Sequence, residues 1–261
     1  MTGANEDLLT ALRLIAERAG KIVLGYYVEA ENDGIDVRQK SDASPVTAAD
    51  EACEAFILEA LAKLTPEIPV ISEEAAEAGG LPEGDVPDQF WLVDPLDGTK
   101  EFLNRNGEFT VNIGLVDKGR PVAGVVHAPA LAKTWAGAGG LATFSTMDQP
   151  PSEITARKIP AEGATVVASR RHGGGGELDA FLAGHKVKER IGAGSSLKFC
   201  LIASGEADIY PRFGRTMEWD TCAAHAVLKA AGGRVETLDG AELTYGKPGL
   251  DNPHFVAWGR R

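Results

Sequence analysis

The segment Trp91–Phe102, with the sequence WLVDPLDGTKEF, constrains the fold more than any other part of the chain. Its apolar start is typical of the end of a buried strand, and Asp94 follows where we expect that strand to stop. Pro95 fixes its own φ, and Gly98 permits the dihedral angles that a sharp reversal requires. The carboxylates of Asp94 and Asp97 can therefore point to one side of the turn.

A third oxygen ligand is available at this turn, because the backbone carbonyl of Leu96 lies between the two carboxylates. Mg²⁺ prefers oxygen ligands and keeps water in its remaining coordination positions. The segment therefore predicts a divalent-cation site with a bound water that can act as a nucleophile. The alternative is an ordinary solvated turn, since Asp, Pro and Gly are also the common residues of turns.

Two other segments carry acidic residues next to predicted secondary structure. An apolar strand over residues 69–71 ends at Ser72, Glu73 and Glu74. Asp220 precedes an Ala-rich pattern of helical spacing and is predicted to open that helix, where its alternative role is an N-cap. We expect Glu73 and Asp220 to join the site at Asp94 and Asp97. Glu74 either supports Glu73 or is a solvated acid, so it stays outside the predicted metal set.

The chain contains an acidic pair, then DPLDGT, then WD before an Ala/Gly-rich helix. This order of motifs resembles the inositol monophosphatase superfamily of lithium-sensitive, magnesium-dependent phosphatases. Within it, the segments DPLDGTKEFLNRNGEFTVNIGLV, GSSLKFCLIASGEADIYPRFG and NPHFVA are similar to bacterial 3'(2'),5'-bisphosphate nucleotidases of the CysQ type. Lys100 and Glu101 are the particular mark of this type. The resemblance covers nearly the whole chain and is weakest from about Lys133 to Gly163.

The fold class predicted from the residue patterns is α+β for the first half, residues 1–150, and α/β for the second half, residues 151–261. A Pro-rich and polar stretch, Met147–Gly163, joins the halves. The resemblance implies a layered αβαβα sugar-phosphatase-like fold in which the halves pack closely enough to count as one domain. Most metal ligands are expected in the first half, and the substrate-binding residues with the last metal ligand in the second.

Individual elements follow from hydrophobic spacing. An amphipathic helix is predicted over residues 6–28, a second helix from about Thr47, and a β-hairpin around Asp117–Arg120. Further short strands are predicted near residues 134–137, 143–147, 165–169, 208–213, 233–236 and 254–258. The only low-complexity patch is Gly173–Gly176.

The resemblance implies a reaction in which water attacks in line and converts 3'-phosphoadenosine 5'-phosphate to AMP and phosphate. Two or three Mg²⁺ ions are expected as cofactors, together with lithium inhibition and a role in sulfate assimilation. Thr99 and Asp50 are expected to orient the nucleophilic water, although the spacing of Thr47 and Asp50 is also that of a capping box. The residues expected to hold metal are Glu73, Asp94, Leu96 through its carbonyl, Asp97 and Asp220.

The expected substrate contacts lie around the same segment and in the second half of the chain. Ser195 and Ser196 precede a helical run, and a helix N-terminus favours anions, although Ser is also a common N-cap. Lys198 and Arg212 add positive charge, and Lys100 is either a phosphate ligand or a solvated lysine. The full expected set is Gly98, Lys100, Ser169, His172, Ser195, Ser196, Lys198 and Arg212.

Three competing functions remain at this point. A haloacid-dehalogenase phosphatase would use an Asp nucleophile in DxDxT, and the spacing here is DxxDGT. An inositol or sugar phosphatase of the same superfamily is the second alternative. The third is a catalytically silent metal- or nucleotide-binding regulator, which would be expected to lack a metal ligand or the threonine, and all of them are present.

Composition narrows the class of protein. The net charge of −12 argues against nucleic acid as a partner, and no apolar stretch approaches the roughly 20 residues that span a bilayer. Because the N-terminal residues lack the features of a signal peptide, we expect a cytoplasmic enzyme without membrane insertion, either monomer or homodimer. The three cysteines, Cys53, Cys200 and Cys222, lie in apolar patterns and are expected to be core thiols.

Overall fold

The computed structural model describes residues 2–29, 37–39, 45–80, 86–169 and 176–261. His172, most of the patch Gly173–Gly176 and the side chain of Thr47 lie outside the described part, and so does the capping box predicted there. Within these ranges the helices are α1 (Thr2–Glu29), α2 (Ala48–Leu64), α3 (Glu73–Ala75), α4 (Thr99–Leu103), α5 (Gly176–Leu182), α6 (Leu197–Ala203) and α7 (Cys222–Ala230).

The described residues form a large sheet of seven strands in the first half of the chain. The first two, β3 and β4, are parallel, and each later strand is antiparallel to its neighbour, as in a meander. The strands, in spatial order, are β3 (Val70–Ser72), β4 (Gln89–Asp97), β5 (Thr110–Asp117), β6 (Arg120–Ala128), β7 (Lys133–Ala138), β8 (Leu141–Thr146) and β9 (Gln149–Glu153).

A small sheet of five strands forms within the described second half, in the order β11-β10-β12-β14-β13. In the centre of this sheet, β10 runs parallel to β12, and β12 runs antiparallel to β14. A short separate ribbon pairs β1 (Val37–Gln39) with β2 (Pro45–Thr47). The strands of the small sheet are β10 (Ala164–Ala168), β11 (Val187–Gly192), β12 (Ile209–Arg212), β13 (Arg234–Thr237) and β14 (Phe255–Trp258).

Alternating side chains divide the core into three clusters and so define the layers. In β4, Trp91 and Val93 pack with α1 and α2, whereas Phe90 and Leu92 pack on the opposite face with α6, α7 and the small sheet. The outer face of the small sheet packs against Leu178 of α5. The order is α1 and α2, large sheet, α6 and α7, small sheet, α5, which confirms the predicted layered αβαβα fold.

Helix α7 lies against the large sheet because three glycines form a row across it. Gly114 of β5 is opposite Gly124 of β6, which is opposite Gly137 of β7. A Cβ atom on Gly124 would lie 2.3 Å from the carbonyl oxygen of Ala223, and one on Gly137 would lie 2.7 Å from the Cα of Val227. No side chain fits between sheet and helix along this row, so the α7 backbone contacts the strands directly.

Strand β4 differs from the sequence prediction. We expected it to stop before Asp94, and it continues to Asp97. Asp94 pairs with Asn112 and Asp97 pairs with Thr110, so three steps along β4 match two steps along β5. The extra residue is a β-bulge, a device that changes the direction of neighbouring side chains.

The helix and hairpin predictions are confirmed by α1, α2 and the β5–β6 pair, and each of the six further strands lies close to its predicted position. Four strands were missed: β1, β2, β9, which lies inside the stretch predicted to join the halves, and β11. Of these, β9 and β11 are edge strands whose residues are mostly exposed, so they lack an apolar alternation. The division of the chain near residue 150 stays a prediction.

In the described ranges, no helix has the length and apolar character that crossing a bilayer would require.

The glycine row makes a testable prediction about stability. Gly124→Ala should lower the free energy of unfolding by about 1–3 kcal/mol, because the added methyl forces α7 away from the sheet. Gly25→Ala is the matched control: a Cβ atom at Gly25 meets nothing within 4 Å, and alanine in a helix gains about 0.5–1 kcal/mol over glycine. Urea denaturation of both variants measures the difference. Equal unfolding free energies would show that the close contact is not under steric constraint.

Candidate active site

The β-bulge in β4 brings two of the predicted ligands to one face of the large sheet. Asp94 and Asp97 pair with Asn112 and Thr110, which are two residues apart on β5 and therefore share a face. Without the extra residue, a spacing of three would place the two aspartates on opposite faces. The side chain of Asp94 is buried and that of Asp97 is half-buried.

Each of three predicted ligands is fixed through one carboxylate oxygen. Oδ1 of Asp94 accepts from the N–H of Leu96 at 3.0 Å, and Oδ2 of Asp220 accepts from the N–H of Met217 at 2.9 Å. Oδ2 of Asp97 accepts from the N–H of Ser196 at 2.7 Å. The second oxygen of each carboxylate accepts no hydrogen bond from the residues that the structure describes.

The carboxylates affect one another electrostatically. Burial, followed by the negative charges of Glu73, Asp97, Asp220 and Asp50, raises the pKa of Asp94 well above its usual value. Burial, with Asp97 and Glu73, likewise raises the pKa of Asp220. Like charges in a region of low dielectric disfavour ionisation of the whole group, and a divalent cation would reverse that effect.

Glu73 reaches this region because β3 runs parallel to β4, with Ser72 opposite Val93. Glu73 and Glu74 therefore follow β3 at the sheet edge where Asp94 follows Val93. Both glutamates are half-buried.

Asp50 lies in the first turn of α2 and is fully buried. One turn further on, the thiol of Cys53 donates to the carbonyl oxygen of Pro95 at 3.3 Å, which holds α2 against the DPLDGT turn. Thr99 opens α4 directly after Gly98, whose φ of 90° needs a glycine. The Thr99 hydroxyl lies 3.5 Å from the Leu96 carbonyl oxygen.

No three His, Cys, Asp or Glu side chains of the described chain are arranged so that they could hold a metal ion together. Oδ2 of Asp97 accepts hydrogen bonds from Ser195 and Ser196. The chemistry of the donors nevertheless fits a hard cation, because Asp94, Asp97 and Asp220 each keep one carboxylate oxygen without a hydrogen bond from the described residues.

Ser195 and Ser196 join the two halves of the molecule at Asp97. The Ser195 hydroxyl donates to Oδ2 of Asp97 at 2.5 Å. The buried Ser196 hydroxyl donates to the backbone carbonyl of Asp220 at 2.8 Å and accepts from Nδ2 of Asn112 at 3.1 Å. Ser196 stands at the N-cap of α6, as predicted, but makes no side-chain capping bond there.

Lys198 is a buried cation and the second residue of α6. Its Nζ donates to the carbonyl oxygen of Ser195 at 2.5 Å and lies 5.3 Å from the centre of the Tyr210 ring. Burial lowers the pKa of Lys198 to about 8, although Asp97 and other acids nearby oppose the shift. The site therefore contains an amine that titrates close to neutral pH.

Arg212 is half-buried at the end of β12 and donates to the carbonyl oxygens of Gly214 and Arg215. It lies on the boundary between a cavity of about 160 Å³ beside Asp97 and a second cavity of about 480 Å³. Ser169 and Tyr210 also line both. Of the predicted site residues, the smaller cavity brings together Asp97, Gly98, Lys100, Ser169, Ser195, Lys198, Arg212 and Asp220.

Glu73, Asp94 and Asp50 do not line that cavity, nor do Leu96, Thr99 and Ser196. The prediction that Asp220 opens a helix is wrong by two residues: α7 starts at Cys222, with Thr221 at the N-cap. The Asp220 carboxylate instead accepts from Met217 within the preceding loop, because that turn places an N–H against it. All three cysteines are buried and free, as predicted.

Three residues were missed by the sequence interpretation. Thr110 and Asn112 support Asp97 and Ser195–Ser196, and their polar character at alternate positions of an apolar strand was the available signal. Glu218 is fully buried and accepts from the backbone N–H groups of Gly246 and Lys247 and from the Lys247 ammonium. It fixes the loop that carries Asp220, and no sequence pattern indicated this.

The family model for the inositol monophosphatase family matches residues 4–258. The 3'(2'),5'-bisphosphate nucleotidase CysQ of Escherichia coli K12 is 44% identical over 234 residues, which cover 88% of this chain and 91% of that protein. The protein of the same name from Buchnera aphidicola is 40% identical over 241 residues, covering 91% of this chain and 87% of the other.

Solved structures agree with the fold. CysQ from Bacteroides thetaiotaomicron, a bacterial member of the inositol monophosphatase family, superposes with a TM-score of 0.79 at 33% identity and covers 98% of both chains. An inositol monophosphatase from Zymomonas mobilis has a TM-score of 0.77 at 23% identity, covering 99% of this chain and 94% of the other, and supports the fold alone. This chain belongs to the inositol monophosphatase family.

Proposed function

We propose that this protein is a Mg²⁺-dependent 3'(2'),5'-bisphosphate nucleotidase that hydrolyses 3'-phosphoadenosine 5'-phosphate to AMP and phosphate. The observation that carries the proposal is a cavity lined both by acidic side chains, Asp97 and Asp220, and by cations, Lys198 and Arg212. Such a cavity suits a substrate with two phosphates. Similarity to relatives named as CysQ nucleotidases gives the same substrate class.

The metal ligands in this proposal are the carboxylates of Glu73, Asp94, Asp97 and Asp220 and the carbonyl oxygen of Leu96. Two or three Mg²⁺ ions bound there would make a bound water more acidic and stabilise the leaving oxygen. The buried, mutually repelling carboxylates support this role, because their charges need compensation.

The remaining residues position water and substrate. Thr99 is the last residue of the DPLDGT turn and the first of α4, and Asp50 of α2 acts electrostatically on Asp94 of the same turn. A hydroxyl and a carboxylate at these positions can orient the attacking water. Lys198, Arg212 and Lys100 neutralise the phosphate that is not removed, which matters in a protein of net charge −12. Gly98, Ser169 and Ser195 border the same cavity, and the role of His172 stays a prediction. Ser196 acts by holding Asp97.

A cytoplasmic location and the choice between monomer and homodimer also remain predictions. Three free, buried cysteines are consistent with a reducing compartment.

The direct test compares phosphate release from 3'-phosphoadenosine 5'-phosphate and from inositol 1-phosphate, each with and without Mg²⁺. The bisphosphate should be the better substrate, and release should require Mg²⁺. Preference for inositol 1-phosphate would identify a sugar phosphatase instead. Absence of release from either substrate would favour a silent binding protein.

Asp97→Asn tests the metal site. Asparagine keeps the size of the side chain and one acceptor oxygen for Ser196, but it removes the charge, so kcat should fall about a hundredfold or more. The control is Asp88→Asn, because the Asp88 side chain is exposed. Mg²⁺ titration by calorimetry should show weakened binding in the first variant alone. Near-normal turnover of Asp97→Asn at saturating Mg²⁺ would remove Asp97 from the ligand set.

Arg212→Ala tests the second phosphate. The KM for 3'-phosphoadenosine 5'-phosphate should rise about tenfold or more, since a hydrogen bond between charged groups is lost, while the KM for adenosine 3'-monophosphate changes little. Arg190→Ala, which removes an exposed arginine paired with Asp179, is the control. Equal increases for both substrates would place Arg212 outside the specificity pocket.

The lowered pKa of Lys198 predicts that the affinity for the bisphosphate substrate depends on pH. Its pKa is lowered to about 8, so the ammonium is present below that pH and is lost as the pH rises through it. Affinity for the bisphosphate should therefore decrease between pH 7 and 9. In Lys198→Ala the affinity should be lower at pH 7 and should show no such decrease, and a decrease of equal size in the variant would contradict the assignment.

A further inference from the structure

Glu101 is half-buried and lines the smaller cavity together with Asp97 and Lys100. Two glycines border it. A Cβ atom at Gly194 would lie 2.8 Å from Cγ of Glu101, and one at Gly98 would lie 3.3 Å from Oε2. The absence of side chains at both positions leaves the space in which the Glu101 carboxylate lies.

The charge of this carboxylate acts on the Lys198 ammonium and opposes the lowering of the Lys198 pKa. In the described part of the chain, however, Glu101 accepts no side-chain hydrogen bond and forms no ion pair, whereas Lys198 and Arg212 donate to backbone carbonyls. Lys198 donates to Ser195, and Arg212 donates to Gly214 and Arg215. A carboxylate that lines a cavity and receives no hydrogen bond from the described side chains is free to accept one from a bound ligand.

The chemistry of that donor is restricted. A carboxylate repels phosphate and accepts hydrogen bonds only, so the partner must be an uncharged or positive N–H or O–H group. The smaller cavity, about 160 Å³, lies below the roughly 300–1,000 Å³ of pockets that hold whole drug-sized ligands. It has room for phosphate and sugar, whereas the adjoining cavity of about 480 Å³ offers space for the base.

We propose that Glu101 accepts a hydrogen bond from the free ribose hydroxyl next to the phosphate that is removed, and so selects ribonucleoside over deoxyribonucleoside bisphosphates. This inference rests on the proposed function, because it takes the scissile phosphate to lie at Asp97 and Asp220 in the same cavity. Glu101 is thus a specificity-determining residue, distinct from the cations that bind the second phosphate.

The test compares 3'-phosphoadenosine 5'-phosphate with its 2'-deoxy analogue in the full-length protein with Mg²⁺. Wild type should prefer the ribose substrate in kcat/KM by about tenfold to a hundredfold, the range for a hydrogen bond to a charged group. Glu101→Ala should lose this preference, mainly through the ribose substrate, and kcat/KM for the deoxy substrate should stay the same or rise, since repulsion of phosphate is removed.

Glu101→Gln is the second variant, because it keeps the size and a neutral acceptor oxygen, and it should restore a preference of a few-fold. Glu59→Ala, on an exposed part of α2, should leave the wild-type ratio unchanged. An unchanged ratio in Glu101→Ala, or an equal loss for both substrates, would overturn the inference while leaving the nucleotidase function intact. A protein that hydrolyses neither substrate would overturn the proposed function and this inference together.

Discussion

The direct contact between α7 and the row of Gly114, Gly124 and Gly137 is the constraint on which the arrangement of the site depends. Helix–sheet packing normally leaves a layer of side chains between the two backbones, and here that layer is missing along one line. The last carboxylate, Asp220, stands two residues before α7. Its position relative to the large sheet is therefore set by steric contact and not by a flexible linker.

Asp97 is the second point at which the halves depend on each other. One carboxylate oxygen accepts from groups of the second half, Ser195 and Ser196, and from Asn112 of the first half at 3.3 Å. The other oxygen accepts no hydrogen bond from the described residues, so under the proposed function Asp97 can connect two layers and still bind a cation. These hydrogen bonds also explain why Ser196 matters to the site although it does not line the cavity.

Concentrating carboxylates at one place works against folding stability, because each buried charge raises the pKa of its neighbours. Functional sites commonly combine such perturbed groups, and a bound cation would convert the repulsion into coordination. The same cavity is also lined by Lys198 and Arg212. Acidic and basic side chains therefore border one small space, although the overall charge of the protein is strongly negative.

The amino-acid sequence by itself determined most of the helices and strands and identified the residues that are proposed to carry the chemistry. Apolar spacing predicted α1, α2 and the β5–β6 hairpin, and the DPLDGT turn identified Asp94 and Asp97, because these are local patterns of neighbouring residues. The edge strands β9 and β11 were not predicted, since exposed strands carry no apolar alternation. Only the tertiary structure decided that a β-bulge turns Asp94 and Asp97 to one face, that Ser195 and Ser196 hold Asp97, and that buried Glu218 fixes the loop of Asp220. These facts depend on contacts between residues far apart in the chain, and local periodicity contains no information about such contacts.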